Sequence, residues 1–468
     1  MNHPTAGIPL PTGQLLPPPR RHIVPPYLLQ HLAEGSEPIA ELARATLVAD
    51  RGKRKAREAG GHPSARAPQA QAATGPSREI FDAHNTEDLP GASVRTEGAA
   101  PTGDPAADEA YDGFGATWKL YDEVYGRNSI DGAGLRLLGS VHYGEGYQNA
   151  FWDGERMVFG DGDGVIFGRF TASLDVIGHE LTHGVTEHTA NLTYRNQSGA
   201  LNESISDVFG VLVAQYAAGQ TADQADWLVG AKLLLPGVDG TALRNMLHPG
   251  TAYDDPRLGK DPQPADMSGY VKTTSDNGGV HYNSGIPNRA FALAATTIGG
   301  HAWEKAGQVW YDVLTGDAIT ADCDFATFAE LTVAAAVARF GDGAEATAIR
   351  QAWQTVGVGA ETEEPAPSGG EQVDPNAQLL LRRTGGFAGL TRERQSALAD
   401  LDGDDREAWT GLLAGETLPR LAAGGTPKPD AYCYGVVCPQ ADVDVELAEA
   451  GLPARIRQLF ERFLADVT

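Results

Sequence analysis

Apolar residues recur at α-helical spacing through most of the chain between residues 174 and 355. This periodicity predicts helices over 174–191, 200–218, 283–299, 302–314, 324–339 and 343–355. From about residue 80 to 170, short apolar runs alternate with glycine and aspartate, which predicts strands and turns, with one helix near residues 109–126. The pattern therefore predicts an α+β fold in which a strand-rich lobe precedes a helical lobe.

Two polar breaks divide this pattern into separate units. The first follows a proline-rich start and a short helical pattern, and it opens with the basic run RGKRKAR, whose composition is typical of an exposed linker. The second is ETEEPAPSGGEQVDP, after which we predict strands in QLLLRR and DAYCYGVV and helices in RERQSALADL and ARIRQLFERFLADV. The predicted organisation is a leader at 1–50, a linker at 51–78, the strand-rich lobe at 79–172, the helical lobe at 173–358, a second linker at 359–372 and a small α/β domain at 373–468.

The overall charge and hydropathy exclude two classes of partner. The chain has 468 residues and a formal net charge of −26, so its surface would repel the phosphates of nucleic acid. No stretch approaches the roughly 20 apolar residues of a membrane span.

The first residues lack a continuous apolar segment, so we expect no conventional secretory signal peptide. Synthesis in the cytoplasm follows, with secretion by an unconventional route left open.

The sharpest motif is HELTH, which runs from His179 to His183 inside a predicted helix. Residues four apart project from one helix face, so both imidazoles can reach the same metal ion. Glu180 lies beside that face, where it can bond a water molecule. A catalytic zinc ion needs a third protein ligand and one open position, and the segment GALNESISDVFG supplies Glu203. Asp207, one turn further on, can accept a hydrogen bond from a ligand imidazole.

Collinear segments give the chain a specific resemblance to a known family. They are NAFW (149–152), GDGDG (160–164), DVIGHELTHGVTEHTANLTYRNQSGALNESISDVFG (175–210) and DNGGVHYNSGIPNRAF (276–291). The chain resembles the thermolysin-like metallopeptidases, and TAYDDPRLGKDPQPA together with the short leader containing PPYLL resembles the protealysin-like subgroup. The resemblance implies a two-lobed zinc-dependent endopeptidase with the HELTH helix at the floor of the cleft between the lobes.

The resemblance also implies roles for the residues that match the family's reaction centre. His179, His183 and Glu203 match the ligands of a single Zn²⁺, and Glu180 matches the general base. Two further groups, Tyr194 and His281, match the pair that stabilises the charge developing on the substrate oxygen. Asp276 matches the carboxylate that orients His281, and Asp207 the one that orients His179.

A second set of residues matches the family's substrate-binding positions. Asn149, the carbonyl of Ala150 and Trp152 fall on the strand that holds the substrate backbone, and Arg244 matches the arginine that reaches a substrate carbonyl. The residues that match the S1′ pocket are Phe167, Phe170, Val176, Val229 and Leu243. Ordinary core packing explains these five equally well. An apolar S1′ pocket implies cleavage on the amino side of Leu, Phe, Ile or Val.

The chain departs from the family at the positions of its double calcium site. Many members have acidic side chains at the positions of Ala214, Leu228 and Ala231. Asp175 and Asp226 remain, but two calcium ions need more oxygen ligands than these provide. We therefore expect no double Ca²⁺ site, while a single ion near Asp175 or elsewhere stays open.

Both flanking segments suggest partners within the chain itself. The leader resembles a protealysin-type propeptide, which blocks the cleft until it is cut, and we expect the cut to remove roughly the first 67–79 residues. The tail, through LLLRRTGGFAGL and DAYCYGVV, resembles emfourin, a protein inhibitor of protealysin-like enzymes. A module that binds substrate or a surface is the alternative for the tail. For the whole chain, the alternative to a protease acting on peptides and proteins is a catalytically silent, metal-stabilised binding protein.

Overall fold

The computed structural model describes residues 21–59, 75–359, 374, 376–385, 391–414, 418, 432–441, 443–449, 452 and 454–465. The chain divides into two compact units, Met1–Thr362 and Glu363–Thr468. The predicted second linker lies outside the described residues except for residue 359. Most of the stretch predicted to be cut after Arg57 also lies outside them. No helix of the described ranges is long and apolar enough to cross a bilayer.

The leader contributes a short strand and two helices to the first unit. They are β1 (Arg21–His22), α1 (Pro26–Ala33) and α2 (Ile39–Ala59). Pro26 at the first position of α1 has its φ angle already set for a helix, and Leu28, Leu29 and Leu32 are buried. The predicted helical pattern is confirmed, but α2 continues past residue 50, where we placed the end of the leader.

The strand-rich lobe is a six-stranded sheet with the order β1-β5-β6-β4-β2-β3. Its other strands are β2 (Arg78–Asp82), β3 (Ala92–Thr96), β4 (Leu137–Val141), β5 (Ala150–Trp152) and β6 (Met157–Phe159). The predicted helix of this lobe is α3 (Pro105–Tyr125), which Asp104 caps at its start and Gly126 ends in a left-handed conformation with φ 64°. The leader strand β1 pairs antiparallel with β5 at the edge of the sheet.

The helical lobe contains all six predicted helices, with ends that differ by a few residues. They are α4 (Leu174–Glu187), α5 (Asn196–Ala218), α7 (Gly285–Ile298), α8 (Ala306–Thr315), α9 (Phe325–Phe340) and α10 (Ala344–Thr355). A further short helix, α6, spans Asp276–Asn283. Two antiparallel ribbons complete the lobe: β7 (Leu228–Val229) with β8 (Arg244–Asn245), and β9 (Asp254–Asp255) with β10 (Gly259–Lys260).

Two glycines allow α4 and α5 to approach closely. A Cβ atom added at Gly210 would lie 2.4 Å from the carbonyl oxygen of Asp175, and one added at Gly178 would lie 3.0 Å from the Cα atom of Gly210. Larger side chains would force the helices apart. Helix α4 also contacts β1 and β5. It therefore forms the floor of the cleft between the two lobes, as the resemblance implied.

The second unit is a four-stranded sheet with helices. The strand order is β12-β11-β13-β14, and the strands are β11 (Gln378–Gly385), β12 (Arg392–Ala397), β13 (Tyr432–Cys438) and β14 (Val443–Ala448). Two helices, α11 (Gly403–Ala414) and α12 (Ala454–Ala465), supply Trp409 and Phe460, whose rings stack at 5.2 Å.

The predicted helix in RERQSALADL is wrong. Residues Arg392–Ala397 pair with β11 as an antiparallel strand, and a 3-10 turn follows at Leu398–Asp400. The segment has good helix formers, but the backbone hydrogen bonds offered by the edge of β11 outweigh that local preference. The other strands and the terminal helix predicted for this unit are confirmed.

Candidate metal centre

Helices α4 and α5 bring three metal-ligating side chains together. Their candidate ligand atoms, on His179, His183 and Glu203, all lie within 4.8 Å of one another, and all three residues are buried. The Nε2 atom of His179 is 3.5 Å from Oε2 of Glu203, and the Nε2 atom of His183 is 3.4 Å from Oε1. Both imidazoles therefore face the same carboxylate.

Hydrogen bonds on the far side of each ring set this orientation. The Nδ1 atom of His179 is 2.8 Å from Asp207 Oδ1, and the Nδ1 atom of His183 is 2.8 Å from Asn202 Oδ1 and 2.9 Å from Ser206 Oγ. A hydrogen on Nδ1 leaves the lone pair of Nε2 available to a metal ion. Asn202 and Ser206 are supporting residues that our sequence analysis missed.

Asp207 is held as a carboxylate by its neighbours. It accepts two hydrogen bonds from Arg244, at 2.8 and 2.7 Å, and one from Asn288 at 2.8 Å. Burial alone would raise the pKa of Asp207, but the charge of Arg244 and the hydrogen bond with His179 outweigh it and hold the pKa well below its usual range. Asp207 can therefore keep the His179 ring in one orientation.

The three side chains fit a zinc ion. Within the described residues, the Nε2 atom of His179 and the Oε2 atom of Glu203 are buried and have no hydrogen-bond partner. Leaving buried polar atoms unsatisfied costs about 1–3 kcal/mol each, so their convergence on one point indicates a ligand there. Two imidazole nitrogens and one carboxylate form a donor set that zinc takes in catalytic sites.

Glu180 lies against this group in a dry environment. It is fully buried, and its Oε2 atom accepts a hydrogen bond of 3.1 Å from the backbone N–H of Trp152 on β5. Burial, together with the negative charge of Glu203, raises the pKa of Glu180 well above its usual range. A carboxylate with a raised proton affinity can take a proton and later return it.

His281 is oriented by a local distortion at the start of α6. Asp276 and Asn277 both have φ 51°, and Gly278 and Gly279 have φ 87° and 81°. This left-handed run turns Asp276 back onto His281, so that Asp276 Oδ1 is 2.6 Å from the Nδ1 atom and Asp276 Oδ2 accepts from the backbone N–H at 2.8 Å. Backbone strain of this kind is typical of functional sites.

His281 and Tyr194 face the metal-ligating group together. Burial would lower the pKa of His281, but the carboxylates of Asp276 and Glu203 outweigh it and raise the pKa to about 9. The raised pKa favours the protonated imidazole, in which both ring nitrogens can donate hydrogen bonds. Its Nε2 atom is 3.3 Å from the oxygen of the Tyr194 hydroxyl, and that hydroxyl donates its hydrogen to Glu203.

Three of the residues predicted to hold a substrate backbone, Asn149, Ala150 and Arg244, hold the leader in this structure. Asn149 accepts from the N–H of Val24 at 3.0 Å and donates to its carbonyl at 3.3 Å. The carbonyl of Ala150 accepts from the N–H of Ile23 at 3.4 Å, and Arg244 donates to the carbonyl of Ile23 at 3.0 Å. Residues 21–24 therefore lie in the cleft between the lobes.

The five residues predicted for the S1′ pocket lie in the hydrophobic core. They are at most 3% exposed: Phe167, Phe170, Val176, Val229 and Leu243. Ile23 is fully buried and belongs to the same hydrophobic cluster. Their direct contact with a substrate stays a prediction.

The two acidic residues left from the family's calcium site have protein partners. Asp175 accepts from the Ser173 hydroxyl at 2.5 Å and from the N–H of Gly230. Asp226 accepts from the N–H of Leu228 at 3.1 Å. The expectation about calcium stays a prediction.

The fold and this site define a zinc metalloendopeptidase. Residues 70–187 match the family model "Thermolysin metallopeptidase, catalytic domain", and residues 190–358 match "Thermolysin metallopeptidase, alpha-helical domain". The chain belongs to the thermolysin family of metallopeptidases, in its protealysin-like subgroup. Residues 381–464 match the model "Emfourin", which confirms the resemblance of the tail.

Relatives and a solved structure agree with this assignment. An "Extracellular metalloprotease" from Pectobacterium carotovorum subsp. carotovorum is 52% identical over 342 residues, which cover 73% of this chain and 97% of that protein. "Protease PrtS" from a Photorhabdus species is 51% identical over 289 residues, 61% of this chain and 78% of that protein. The structure of the precursor of protealysin from Serratia proteamaculans has a TM-score of 0.66 and 54% identity, and it covers 72% of this chain and 99% of that one.

Proposed function

We propose that this neutral endopeptidase cuts on the amino side of large apolar residues, and that its leader and its C-terminal domain both restrain it. The observation that carries the proposal is the position of residues 21–24. Their backbone is bonded to Asn149, Ala150 and Arg244, and the two apolar side chains of Ile23 and Val24 are fully buried. A substrate chain can use the same contacts.

In the proposed mechanism, His179, His183 and Glu203 hold the zinc ion. Zinc, when bound, lowers the pKa of water and polarises the carbonyl of the peptide bond to be cut. Glu180 takes a proton from the attacking water and delivers it to the departing amine. Tyr194 and protonated His281 donate hydrogen bonds to the former carbonyl oxygen as negative charge builds on it.

The proposed specificity follows from the apolar surroundings of Ile23. Burying a large aliphatic side chain contributes about 1.5–3 kcal/mol, so Leu, Phe, Ile and Val after the cut are favoured over polar residues. Cleavage of a peptide library by the trimmed enzyme, followed by mass spectrometry, tests this. Products that begin mainly with charged or small polar residues would contradict the specificity.

The leader supports the proposal of a precursor that restrains itself. It occupies the cleft, and it is anchored on both lobes: Thr46 accepts from the N–H of Gln148 at 3.1 Å, and the rings of Tyr27 and Tyr282 lie 4.3 Å apart. A substrate cannot enter while the leader stays. Peptidase activity should therefore rise when the leader is removed, and a full-length chain that is equally active would end this part of the proposal.

For the C-terminal domain we favour inhibition over substrate recruitment. Its match to the emfourin model supports this, and a tether gives an attached domain an effective concentration of roughly millimolar. A leader-trimmed chain that ends at residue 360 should be more active on small peptides than one that keeps the domain. Lower activity on large protein substrates alone would favour a recruiting module.

A catalytically silent binding protein is the less favoured alternative. Such a protein needs the metal ligands but has no use for a buried base or for donors aimed at the metal. Glu180, Tyr194 and His281 all face the metal-ligating group, which favours the enzyme. Because the relative from Pectobacterium carotovorum is named an extracellular metalloprotease, we further propose that this enzyme acts outside the cell after unconventional export. Detection of the trimmed protein in culture medium tests this.

A further inference from the structure

The backbone of residues 22–24 makes an ordered series of contacts across the cleft. From the carbonyl of His22 to the carbonyl of Val24, each polar backbone group has a partner among the groups assigned to catalysis and substrate binding. The His22 carbonyl is 3.1 Å from Nε2 of His281. The N–H and carbonyl of Ile23 bond to Ala150 and Arg244, and those of Val24 bond to Asn149.

This series has the direction that hydrolysis requires. The His22 carbonyl oxygen lies 3.1 Å from Nε2 of His281, a ring nitrogen that can donate to an oxygen that gains negative charge. The next group along the chain, the N–H of Ile23, donates to the carbonyl of Ala150 on β5, and the N–H of Trp152 on the same strand donates to Glu180. Glu180, held against the strand that binds Ile23, is a base that can deliver the proton a departing amine needs. The peptide bond between these two groups is therefore the one aligned with the reaction centre.

We propose that the bond between His22 and Ile23 is a cleavage site of this enzyme in its own chain. The proposal rests on the proposed function, since it uses the same base and the same donors. One water molecule adds its oxygen to the carbonyl carbon of His22, and the C–N bond to Ile23 breaks. The products are a carboxylate at His22 and an amine at Ile23, which takes the proton that the water gives up.

The cut supplies a first step of maturation but does not release the leader. Residues after Ile23 keep their own anchors, because Thr46 still accepts from Gln148 and Tyr27 still contacts Tyr282. The residue after the bond is of the type that the proposed specificity requires, since Ile23 is large and apolar. Because the reacting groups belong to one chain, the rate should not change across about a tenfold dilution.

The test uses full-length, zinc-loaded protein incubated in water enriched in ¹⁸O and measured by mass spectrometry under denaturing conditions. Wild type should yield a fragment that ends at His22 with ¹⁸O in its new carboxylate, and Glu180→Gln should not. In Ile23→Asp the bond should stay intact, because the charge is incompatible with an apolar site. The matched control is Val48→Asp, which adds the same charge to the leader where the side chain is 68% exposed.

Two outcomes separate this inference from the proposed function. If wild type cuts an added leucine-containing peptide after trimming but never cuts after His22, the inference is wrong and the proposed function stands. If it cuts neither, both are wrong. A cut that is equally fast in Glu180→Gln would show that another protease makes it, which also overturns the inference.

Hydrogen exchange gives a readout that does not depend on activity. In full-length Glu180→Gln, the amides of Ile23 and Val24 should be protected, because both are hydrogen-bonded in a buried site. Ile23→Asp in the same background should lose that protection, and Val48→Asp should keep it. Rapid exchange of both amides in Glu180→Gln itself would overturn the proposed alignment.

Discussion

On one side of the cleft, the metal-facing groups come from two long helices, α4 and α5, that touch at Gly178 and Gly210. On the other side, the groups that face the substrate backbone come from separate places. Asn149 immediately precedes the three-residue strand β5. Arg244 lies in the two-residue strand β8, and His281 follows the left-handed turn at the start of α6. We call these the helical side and the assembled side.

The difference shows how the work of the site is divided. The helical side is fixed by close helix packing and by Asp207, Asn202 and Ser206, so it should keep its geometry whether or not the leader is present. The assembled side contains residues of both lobes, and in this structure the leader backbone is hydrogen-bonded to residues of each lobe. We therefore expect changes to the metal ligands of the helical side, or to the residues that orient them, to affect metal binding. Changes to Glu180 or to the assembled side should affect turnover with the metal retained.

The largest effect on kcat should come from Glu180→Ala. Glu180 lies on the helical side but is not one of the metal ligands. General-base catalysis contributes about 100- to 10,000-fold, so kcat should fall by that range. Zinc content should stay at the wild-type level, because no ligand is removed. Peptide hydrolysis and metal analysis of leader-trimmed protein measure both. Near-wild-type hydrolysis would show that the base is misassigned.

His281→Ala tests the assembled side. Loss of one transition-state donor costs about 2.7–4 kcal/mol, or roughly 100- to 1,000-fold in kcat. KM and zinc content should change little. Asp276→Asn, which leaves the imidazole in place but weakens its orientation, should have a smaller effect in the same direction. If His281→Ala instead loses zinc, the division between the two sides does not hold.

Asp207→Asn should weaken metal binding without removing a ligand. Loss of a supporting hydrogen bond to a ligand imidazole typically costs about 10- to 100-fold in metal affinity. The buried Arg244 also loses its counter-charge, so the variant should be less stable. Competition with a chelator measures the affinity, and Asp226→Asn on the exposed surface is the control. Equal zinc affinity in both variants would contradict the role of Asp207.

The smallest effect concerns His142, which supports the assembled side from behind. Its two ring nitrogens are each 2.8 Å from a carboxylate, Asp161 and Asp104, and Asp161 follows Gly160, whose N–H bonds to the carbonyl of Asn149. Burial alone would lower the pKa of His142, but the two carboxylates outweigh it and raise the pKa. A raised pKa in the folded state stabilises the fold below the unfolded pKa, and this contribution is lost as pH rises through the folded pKa.

His142→Gln should therefore lower the free energy of unfolding by about 1–2 kcal/mol at pH 6 and by less at pH 9. Denaturant unfolding at the two pH values measures the difference. His84→Gln is the control, because its ion pair with Asp82 has an imidazole that is 67% exposed and should contribute little. A loss for His142→Gln that is greater at pH 9 would contradict the ionic bridge.

The helical side was largely predictable from the sequence, because helical spacing alone aligns His179 with His183 and Glu203 with Asp207. Asn202 and Ser206 were missed, although they flank Glu203 at a spacing of four residues, which places them on one helix face. The assembled side could be assigned only through the family resemblance. No local pattern brings Asn149, Arg244 and His281 together, since their proximity depends on tertiary structure. Tertiary structure also explains why the helix predicted at β12 was wrong, because pairing with β11 outweighs the helix propensity of that segment.

The central claim is that peptide hydrolysis depends on one zinc ion held by His179, His183 and Glu203. The most direct test is a chelator titration of leader-trimmed protein in which zinc per chain and peptidase activity are measured on the same samples. The account predicts that activity falls in proportion to zinc, from one zinc ion per chain, and returns when zinc is added back. Full activity in protein from which the zinc has been removed would contradict it.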